Sequence, residues 1–287
     1  MITIWPAFYE SFACKAEDCR HSCCKGWEID IDYASVALYQ GLDGKLGNEI
    51  RNSISTESGV YSFRLTEDER CPFLRQDGLC RIILEYGDDY ICDICAMHPR
   101  FFSIIGDFEL AGFGLSCEKS CELLLESVEE LSFELEETGK RISFGELIDE
   151  LGLGDSMLSD TFEAELEPDY LKRIINSLAD TEPIDDAWTN HIEFLKVNID
   201  KLYKKTADFY SRCDKRQLNR LYQYILYRHM QRIEEYGIDS LLSFARGAVT
   251  FIIIEAAVSG NMEESIRRWS EQIEYSVENT EKLLIAE

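Results

Sequence analysis

Ten of the eleven cysteines in this chain fall within its first 121 residues: Cys14, Cys19, Cys23, Cys24, Cys71, Cys80, Cys92, Cys95, Cys117 and Cys121. Thiols at this density either oxidise to disulfides or bind metal. Cys92-x2-Cys95 can place two sulfurs on one ion from a tight turn. The adjacent pair Cys23-Cys24 is different, because consecutive side chains usually diverge. It fits two neighbouring metals or a polynuclear cluster better than one ion. Zinc knuckles come as two Cys-x2-Cys units, and only one is present here. Four thiolates serve an iron–sulfur cluster and zinc alike, so ligand number leaves both open. Ten thiols exceed one four-ligand centre, which implies two centres or additional catalytic or structural cysteines. His21 and His98 are candidate extra ligands, with a capping or core role as the simpler reading. Cys213, on an expected helix, reads as a packed thiol.

The elements that must position these thiols are sparse at first. Glycines recur through residues 1–121, and helix signals are short, at Tyr33–Tyr39 and Asn48–Ile54. Tyr61–Leu65 alternates like a strand, and Phe101–Ile105 with Phe108–Phe113 reads as a hairpin around Gly106-Asp107. So little regular structure buries a small core, and a metal would supply part of the folding free energy. After Cys121 the pattern becomes helical: Leu123–Leu135, Ile142–Leu151, Tyr170–Leu178, Asp185–Arg212, Lys215–Tyr236, Asp239–Val258 and Met262–Leu284. Leu151-Gly152-Leu153-Gly154-Asp155 breaks the pattern, and Gly237 and Gly260-Asn261 are helix stops. The expected fold is mainly α: a cysteine-rich metal-binding region with few short strands over residues 1–121, then an α-helical bundle over 122–287.

Composition narrows the partners. The net charge is −26 and no basic stripe is present, which argues against nucleic-acid binding. Acidity suits a basic partner such as a lysine-bearing protein surface, and it also simply keeps a protein soluble. The longest apolar run, Ala248–Val258, is broken by Thr250 and Glu255 and is shorter than the ~18 residues of a membrane span. No transmembrane segment is expected; peripheral membrane association is left open. The first residues, Met1-Ile2-Thr3-Ile4-Trp5-Pro6, lack the basic and apolar stretches of a secretory signal. The expected compartment is the cytoplasm, where thiols stay reduced, and this favours metal over disulfides.

Trp27, Glu28, Asp30 and Asp32 follow directly after Cys23-Cys24. Carboxylates and an aromatic face suit an incoming lysine ammonium. The simpler reading is a buried tryptophan with Asp32 capping the helix Tyr33–Tyr39. Arg100 could hold a carboxylate or a cluster sulfide, or serve as a structural ion-pair partner.

Read in order, these segments resemble the flagellin lysine-N-methylase family. Phe12-Ala13-Cys14…Cys19…Cys23-Cys24-Lys25-Gly26-Trp27-Glu28-Ile29-Asp30-Ile31-Asp32 is similar to its opening motif. Cys71-Pro72-Phe73-Leu74…Gly78-Leu79-Cys80-Arg81-Ile82 resembles the second. Gly87…Cys92-Asp93-Ile94-Cys95…His98-Pro99-Arg100-Phe101 resembles the third, and Leu115-Ser116-Cys117-Glu118 the fourth. Leu221-Tyr222-Gln223-Tyr224-Ile225-Leu226-Tyr227-Arg228-His229 is similar to a tyrosine-rich helix of the family. The Cys-Pro-Phe-Leu and Cys-Cys elements also resemble a broader group of zinc- or iron-chelating proteins. The resemblance implies methyl transfer from S-adenosylmethionine to lysines of flagellin or another lysine-bearing protein, dependent on a [4Fe-4S] cluster, with zinc as the alternative metal. It carries over Cys14, Cys19, Cys23, Cys24, Cys71, Cys80, Cys92, Cys95 and Cys117 as metal ligands. Cys121 lies outside the matched motifs.

The chain departs from familiar donor-binding patterns. A Cys-x3-Cys-x2-Cys signature is missing, and no Gly-rich strand-to-helix loop of the dinucleotide-binding type appears. Two other classes therefore stay in view: a zinc-stabilised, non-enzymatic interaction module, and an iron–sulfur peptide-modifying or electron-transfer protein.

Overall fold

A computed structural model describes residues 1–57, 59–127, 129–154, 158 and 161–286. The elements, in chain order, are β1 (Ile2–Pro6), α1 (Tyr33–Gln40), α2 (Gly44–Ser53), β2 (Ile54–Glu57), β3 (Val60–Phe63), α3 (Arg81–Tyr86), α4 (Asp93–Met97), β4 (Arg100–Ile105), β5 (Phe108–Phe113) and α5 (Glu118–Glu126). Then follow β6 (Ser132–Leu135), β7 (Lys140–Ser143), α6 (Phe144–Glu150), α7 (Pro168–Ala179), α8 (Asp186–Arg212), α9 (Lys215–His229), α10 (Ile233–Tyr236), α11 (Ile238–Ser259), α12 (Met262–Ile273) and α13 (Val277–Leu284). The chain is mainly helical, as expected. It forms two compact units: residues 13–100, and residues 1–12 together with 101–287.

The larger unit divides the chain differently from a single boundary at residue 121. Its five-stranded sheet has the order β4-β5-β1-β6-β7. The first strand therefore sits mid-sheet, parallel to β5 (Ile4 opposite Leu110) and antiparallel to β6 (Ile4 opposite Leu135). Pairing between residues a hundred positions apart leaves no local mark in sequence. The expected helix Leu123–Leu135 is likewise two elements. α5 stops at Glu126, and Leu131, Phe133 and Leu135 are buried at alternate positions, the period of a strand. The expected helix start at Ile142 is the end of β7; Ser143 and Glu146 then close a reciprocal capping box that opens α6. The break at 151–154 holds, with Gly152 and Gly154 at positive φ, while Asp155 lies outside the described residues.

The helices α7 to α13 follow the expected bundle with two refinements. A short 3-10 turn over Met230–Arg232 separates α9 from α10. The stretch Met262–Leu284 is two helices, because Ser276 accepts the Asn279 N–H and starts α13. α11 is apolar and long enough to cross a membrane by length and composition, yet most of it is buried as the central helix of the bundle. Its end is set by Gly260 at φ +77°, a left-handed cap that a Cβ would strain.

Two tyrosines of α9 fasten the bundle to the sheet. The Tyr224 hydroxyl donates to Phe113 O at 2.8 Å and accepts from Phe113 N at 2.7 Å. The Tyr227 hydroxyl lies 2.7 Å from Ile4 O and 2.8 Å from Ala111 O. The tyrosine-rich segment singled out in the sequence is thus a structural clamp.

The smaller unit is built around a modest core: Ile29, Ile31, Tyr39, Leu46, Ile50, Phe63, Phe73 and Ile82 with Cys71 and Cys92. Cys24, Cys80 and Cys95 pack against it. β2 and β3 pair as a hairpin, and the strand expected at Tyr61–Leu65 is β3. The expected helix at Tyr33–Tyr39 is α1; the one expected at Asn48–Ile54 is α2, which starts earlier, at Gly44, and ends at Ser53, where Ile54 opens β2.

Candidate metal centre

Backbone pairing within residues 13–100 brings the motif cysteines together. Cys24 O accepts from Cys71 N at 2.8 Å, Gly26 N donates to Glu69 O at 2.9 Å, and Lys25 bridges Arg70. The segment after Cys-Cys therefore runs antiparallel to the segment before Cys-Pro-Phe-Leu. A tight loop then returns the chain: Arg75 N donates to Leu79 O, Arg81 N to Phe73 O, and Leu74 bridges Cys80. Gly78 closes this turn at φ +84°, where a side chain would be strained, and its Cβ position is 3.5 Å from the Glu17 Cα. Finally, Cys92 O accepts from Cys95 N and Ala96 N as α4 begins, and the two sulfurs lie 3.5 Å apart.

The electrostatics of these thiols report their mutual proximity. The Cys24 thiol accepts a hydrogen bond from Cys23, which brings its pKa down to about 7 against the opposing effect of burial; Ser22 adds a second hydrogen bond. Cys71 is pushed up to about 12 by burial, with the Cys24 and Cys80 charges adding to it. Cys80 is raised by burial and by Cys24 and Cys92. Cys92 is lowered by the hydrogen bond from Cys95, and Cys95 is raised correspondingly, with Cys24 and Cys71 contributing. Charge on Cys24, Cys71, Cys80, Cys92 and Cys95 is thus coupled through neighbours within one unit, with the Cys92 and Cys95 sulfurs in contact. Apposed thiols that cannot all ionise alone are what a cationic centre would stabilise as thiolates. Cys23 and Cys24 do not diverge as their adjacency suggests: they sit in a turn, and their side chains meet.

The remaining expected ligands are placed differently. Cys14 is exposed, and its sulfur accepts from Ala16 N at 3.4 Å. Cys19 donates to His21 O at 3.2 Å. Cys117 belongs to the larger unit, where it precedes the first turn of α5. Cys121, one turn on, is fully buried and donates to Leu115 O at 2.9 Å, with burial holding its pKa well above the usual thiol value. Cys213 donates to Phe209 O at 3.3 Å, as a packed thiol on a helix end does.

The expected substrate-facing residues separate. Trp27 donates its indole N–H to Cys23 O at 2.5 Å, and its ring is 5.5 Å from that of His98. Asp32 is the N-cap of α1, as its simpler reading held: Oδ1 accepts from Ser35 N at 2.8 Å, and Oδ2 from Ser35 Oγ at 2.7 Å and Asp93 N at 3.0 Å. Burial raises the Asp32 pKa, but the hydrogen bonds from Asp93 and Ser35 outweigh it and leave the carboxyl below its usual value. Asp32 thereby ties α1 to the start of α4, next to Cys92. Asp30 and Glu28 are exposed, with Asp30 bridging Ser62. Arg100 is half-buried at the start of β4.

Sequence reasoning missed two groupings in the larger unit. Among the described residues, donor atoms of Glu118, Glu122 and Glu263 lie within 4.8 Å of one another, and none of the nine carried-over cysteines is in that set. Glu118 and Glu122 are one turn apart on α5, whereas Glu263 arrives from α12. Arg228 and His229 both reach the fully buried carboxylate of Glu274 at 3.1 Å. The i, i+4 spacing of Glu118 and Glu122 was a visible signal; the partners from α12 were not.

Comparison with known proteins points in one direction. No family model matches the chain, and no solved structure matches it. Over 101 residues, a third of the chain, it is 31% identical to the lysine-N-methylases of Salmonella typhimurium and Salmonella choleraesuis. Over a stretch of the same length it is 30% identical to the flagellar biosynthetic protein FliU of Salmonella muenchen. The match spans a quarter of the length of the two lysine-N-methylases and 60% of the FliU protein. The resemblance to the flagellin lysine-N-methylase family is thus supported over about a third of this chain.

Proposed function

We propose that this protein is a cytoplasmic, S-adenosylmethionine-dependent lysine N-methyltransferase that acts on flagellin or a related flagellar protein and depends on a [4Fe-4S] cluster. The observation that carries the reading is the convergence of Cys24, Cys71, Cys80, Cys92 and Cys95 from three separate motifs in one small unit. The names of the relatives, lysine-N-methylase and a flagellar biosynthetic protein, supply the reaction class.

The donor set fits the group. Soft thiolates are the ligands of iron–sulfur clusters, and five converging sulfurs exceed the four that one cluster takes. Cys24, Cys71, Cys80, Cys92 and Cys95 would hold it, with Cys14, Cys19 and Cys23 of the same unit as further ligands that the family resemblance implies. When bound, such a cluster supplies a redox-active, Lewis-acidic centre. The protein's own groups do the rest. Asp32 fixes α1 against α4 and so holds Cys92 and Cys95 in register. Trp27 and Asp30 offer an aromatic face and an exposed carboxylate to a lysine side chain. The half-buried Arg100 would hold a donor carboxylate. Methyl transfer forms an Nε–C bond as the donor's S–C bond breaks; the lysine sheds its proton to solvent or to an exposed carboxylate such as Asp30.

The test is anaerobic reconstitution with iron and sulfide, followed by incubation with flagellin and labelled S-adenosylmethionine. Label on flagellin lysines is the expected result. A loaded protein that transfers none would overturn the reading. The same thiols also suit zinc, and the small core of the 13–100 unit favours a purely structural metal as the second reading. Colourless protein with stoichiometric zinc, even after anaerobic purification, would favour it.

A further inference from the structure

α8 runs for 27 residues, and one side of it is left uncovered. Trp188, Ile192, Leu195, Ile199 and Thr206 recur at helical spacing and are buried, on a helix that packs against α7 and α11. At 3.6 residues per turn, Val197 falls on the side opposite that buried line. Val197 is 80% exposed, and Phe194, one turn before it, is 46% exposed. Single exposed apolar residues are ordinary; these two stand between charges that are sorted by sign.

Asp186 and Glu193 are exposed on the N-terminal side of the apolar pair, and Lys201, Lys204 and Lys205 are exposed on its C-terminal side. The other exposed charges of this span are engaged. Lys196 reaches Glu193 at 3.1 Å, and Asp200 is held by Lys172 of α7 at 2.8 Å. Asp208 lies beyond the lysines. From Asp186 to Lys205 the exposed charges are thus three acids and four lysines, so the strip is not acidic. A chain of net charge −26 repels a second copy over most of its surface, and here that repulsion gives way.

The order of acid, apolar and base along one helix face is self-complementary in one arrangement. Two copies related by a two-fold axis, with their helices antiparallel, set acids against lysines at both ends and apolar against apolar in the middle. Parallel helices would set lysine against lysine.

We propose that two copies of this chain associate through α8, antiparallel about a two-fold axis. Phe194 and Val197 of both copies meet at the centre, and Asp186 and Glu193 of each copy face Lys201, Lys204 and Lys205 of the other. A helix of this length offers a strip of about 40 Å by 10 Å, at the small end for a specific contact, so the dimer is a reversible one.

Sedimentation equilibrium of the full chain, up to about 0.3 mM, is the test for a contact of this size. A monomer–dimer equilibrium is expected, weakened by added salt. Val197→Glu puts like charges at the axis and should weaken dimerisation about tenfold or more. Its unfolding midpoint should not fall, because the position is exposed and glutamate favours helix. Two charge variants make the test specific. Asp186→Lys/Glu193→Lys leaves the strip basic, and Lys201→Glu/Lys204→Glu/Lys205→Glu leaves it acidic. Each alone should dimerise about tenfold or more weakly than wild type, and the two mixed should form a heterodimer. Where a charge variant fails to fold, Val197→Glu decides. A wild-type chain that stays monomeric, a dimer that Val197→Glu leaves intact, or folded charge variants that do not pair when mixed overturns the proposal. So does a monomer that instead binds phosphatidylglycerol vesicles through the same lysines.

Discussion

The sulfurs of Cys92 and Cys95 lie 3.5 Å apart across the first turn of α4, with Cys95 N donating to Cys92 O. The pair is held from both sides, by the buried position of Cys92 and by the Asp32 bond to Asp93 N. Removing one of these sulfurs leaves four others, so metal retention should fall rather than vanish. Cys95→Ser is expected to hold less metal than wild type on anaerobic purification. Cys213→Ser, whose thiol only donates to Phe209 O, is expected to retain it. Metal analysis of the two variants is the check.

Asp32 is a test of position against chemistry. Asp32→Ala removes the acceptor for Ser35 N and the tie to Asp93 N, and should cost about 1 kcal/mol or somewhat more. Asp32→Asn keeps one acceptor oxygen but turns its amide NH2 toward the other backbone N–H, and should recover only part of that loss. Urea unfolding of both variants measures it. If Asp32→Asn also keeps wild-type KM for the lysine substrate, its role is positioning alone.

Tyr227 carries the contact between bundle and sheet. Its hydroxyl reaches Ile4 O and Ala111 O in a fully buried setting, and burial keeps its pKa well above the usual tyrosine value. Tyr227→Phe should destabilise the larger unit by about 1–3 kcal/mol, the cost of leaving buried carbonyls short of a donor. The urea midpoint should fall with an unchanged m-value.

The bundle should also respond to pH through His191 and Glu255, whose Nε2 and Oε1 atoms lie 2.6 Å apart. The hydrogen bond to Glu255 raises the His191 pKa above its ordinary value, against burial, which lowers it. A pKa raised in the folded state stabilises below the unfolded value of about 6.5. That contribution is lost as pH rises through the higher folded value. Unfolding midpoints measured from about pH 5.5 to about 8.5 should fall through this window, and Glu255→Gln should flatten the fall.

What the sequence displayed was local. Asp32 as a cap, the turn at Gly106-Asp107, and the stops at Gly237 and Gly260 are set by neighbouring residues, and the structure bears them out. The placement of β1 beside β5 and β6 was hidden, because it depends on partners more than a hundred residues away. The span from Leu123 to Leu135 misled for a different reason: the helical spacing of Cys121, Leu124 and Leu125 was carried past Ser127 into Leu131, Phe133 and Leu135, whose alternation is that of a strand. The thiol groupings were half legible. Spacing marked which cysteines belong to motifs, but only the antiparallel pairing of residues 24–26 with 69–71 shows that Cys24 meets Cys71.

The central claim is that the thiols of the 13–100 unit hold an iron–sulfur centre. Quantifying iron, sulfide and zinc in anaerobically purified protein tests it most directly. The account predicts about four irons and about four sulfides per chain, with little zinc. Stoichiometric zinc with neither iron nor sulfide would contradict it.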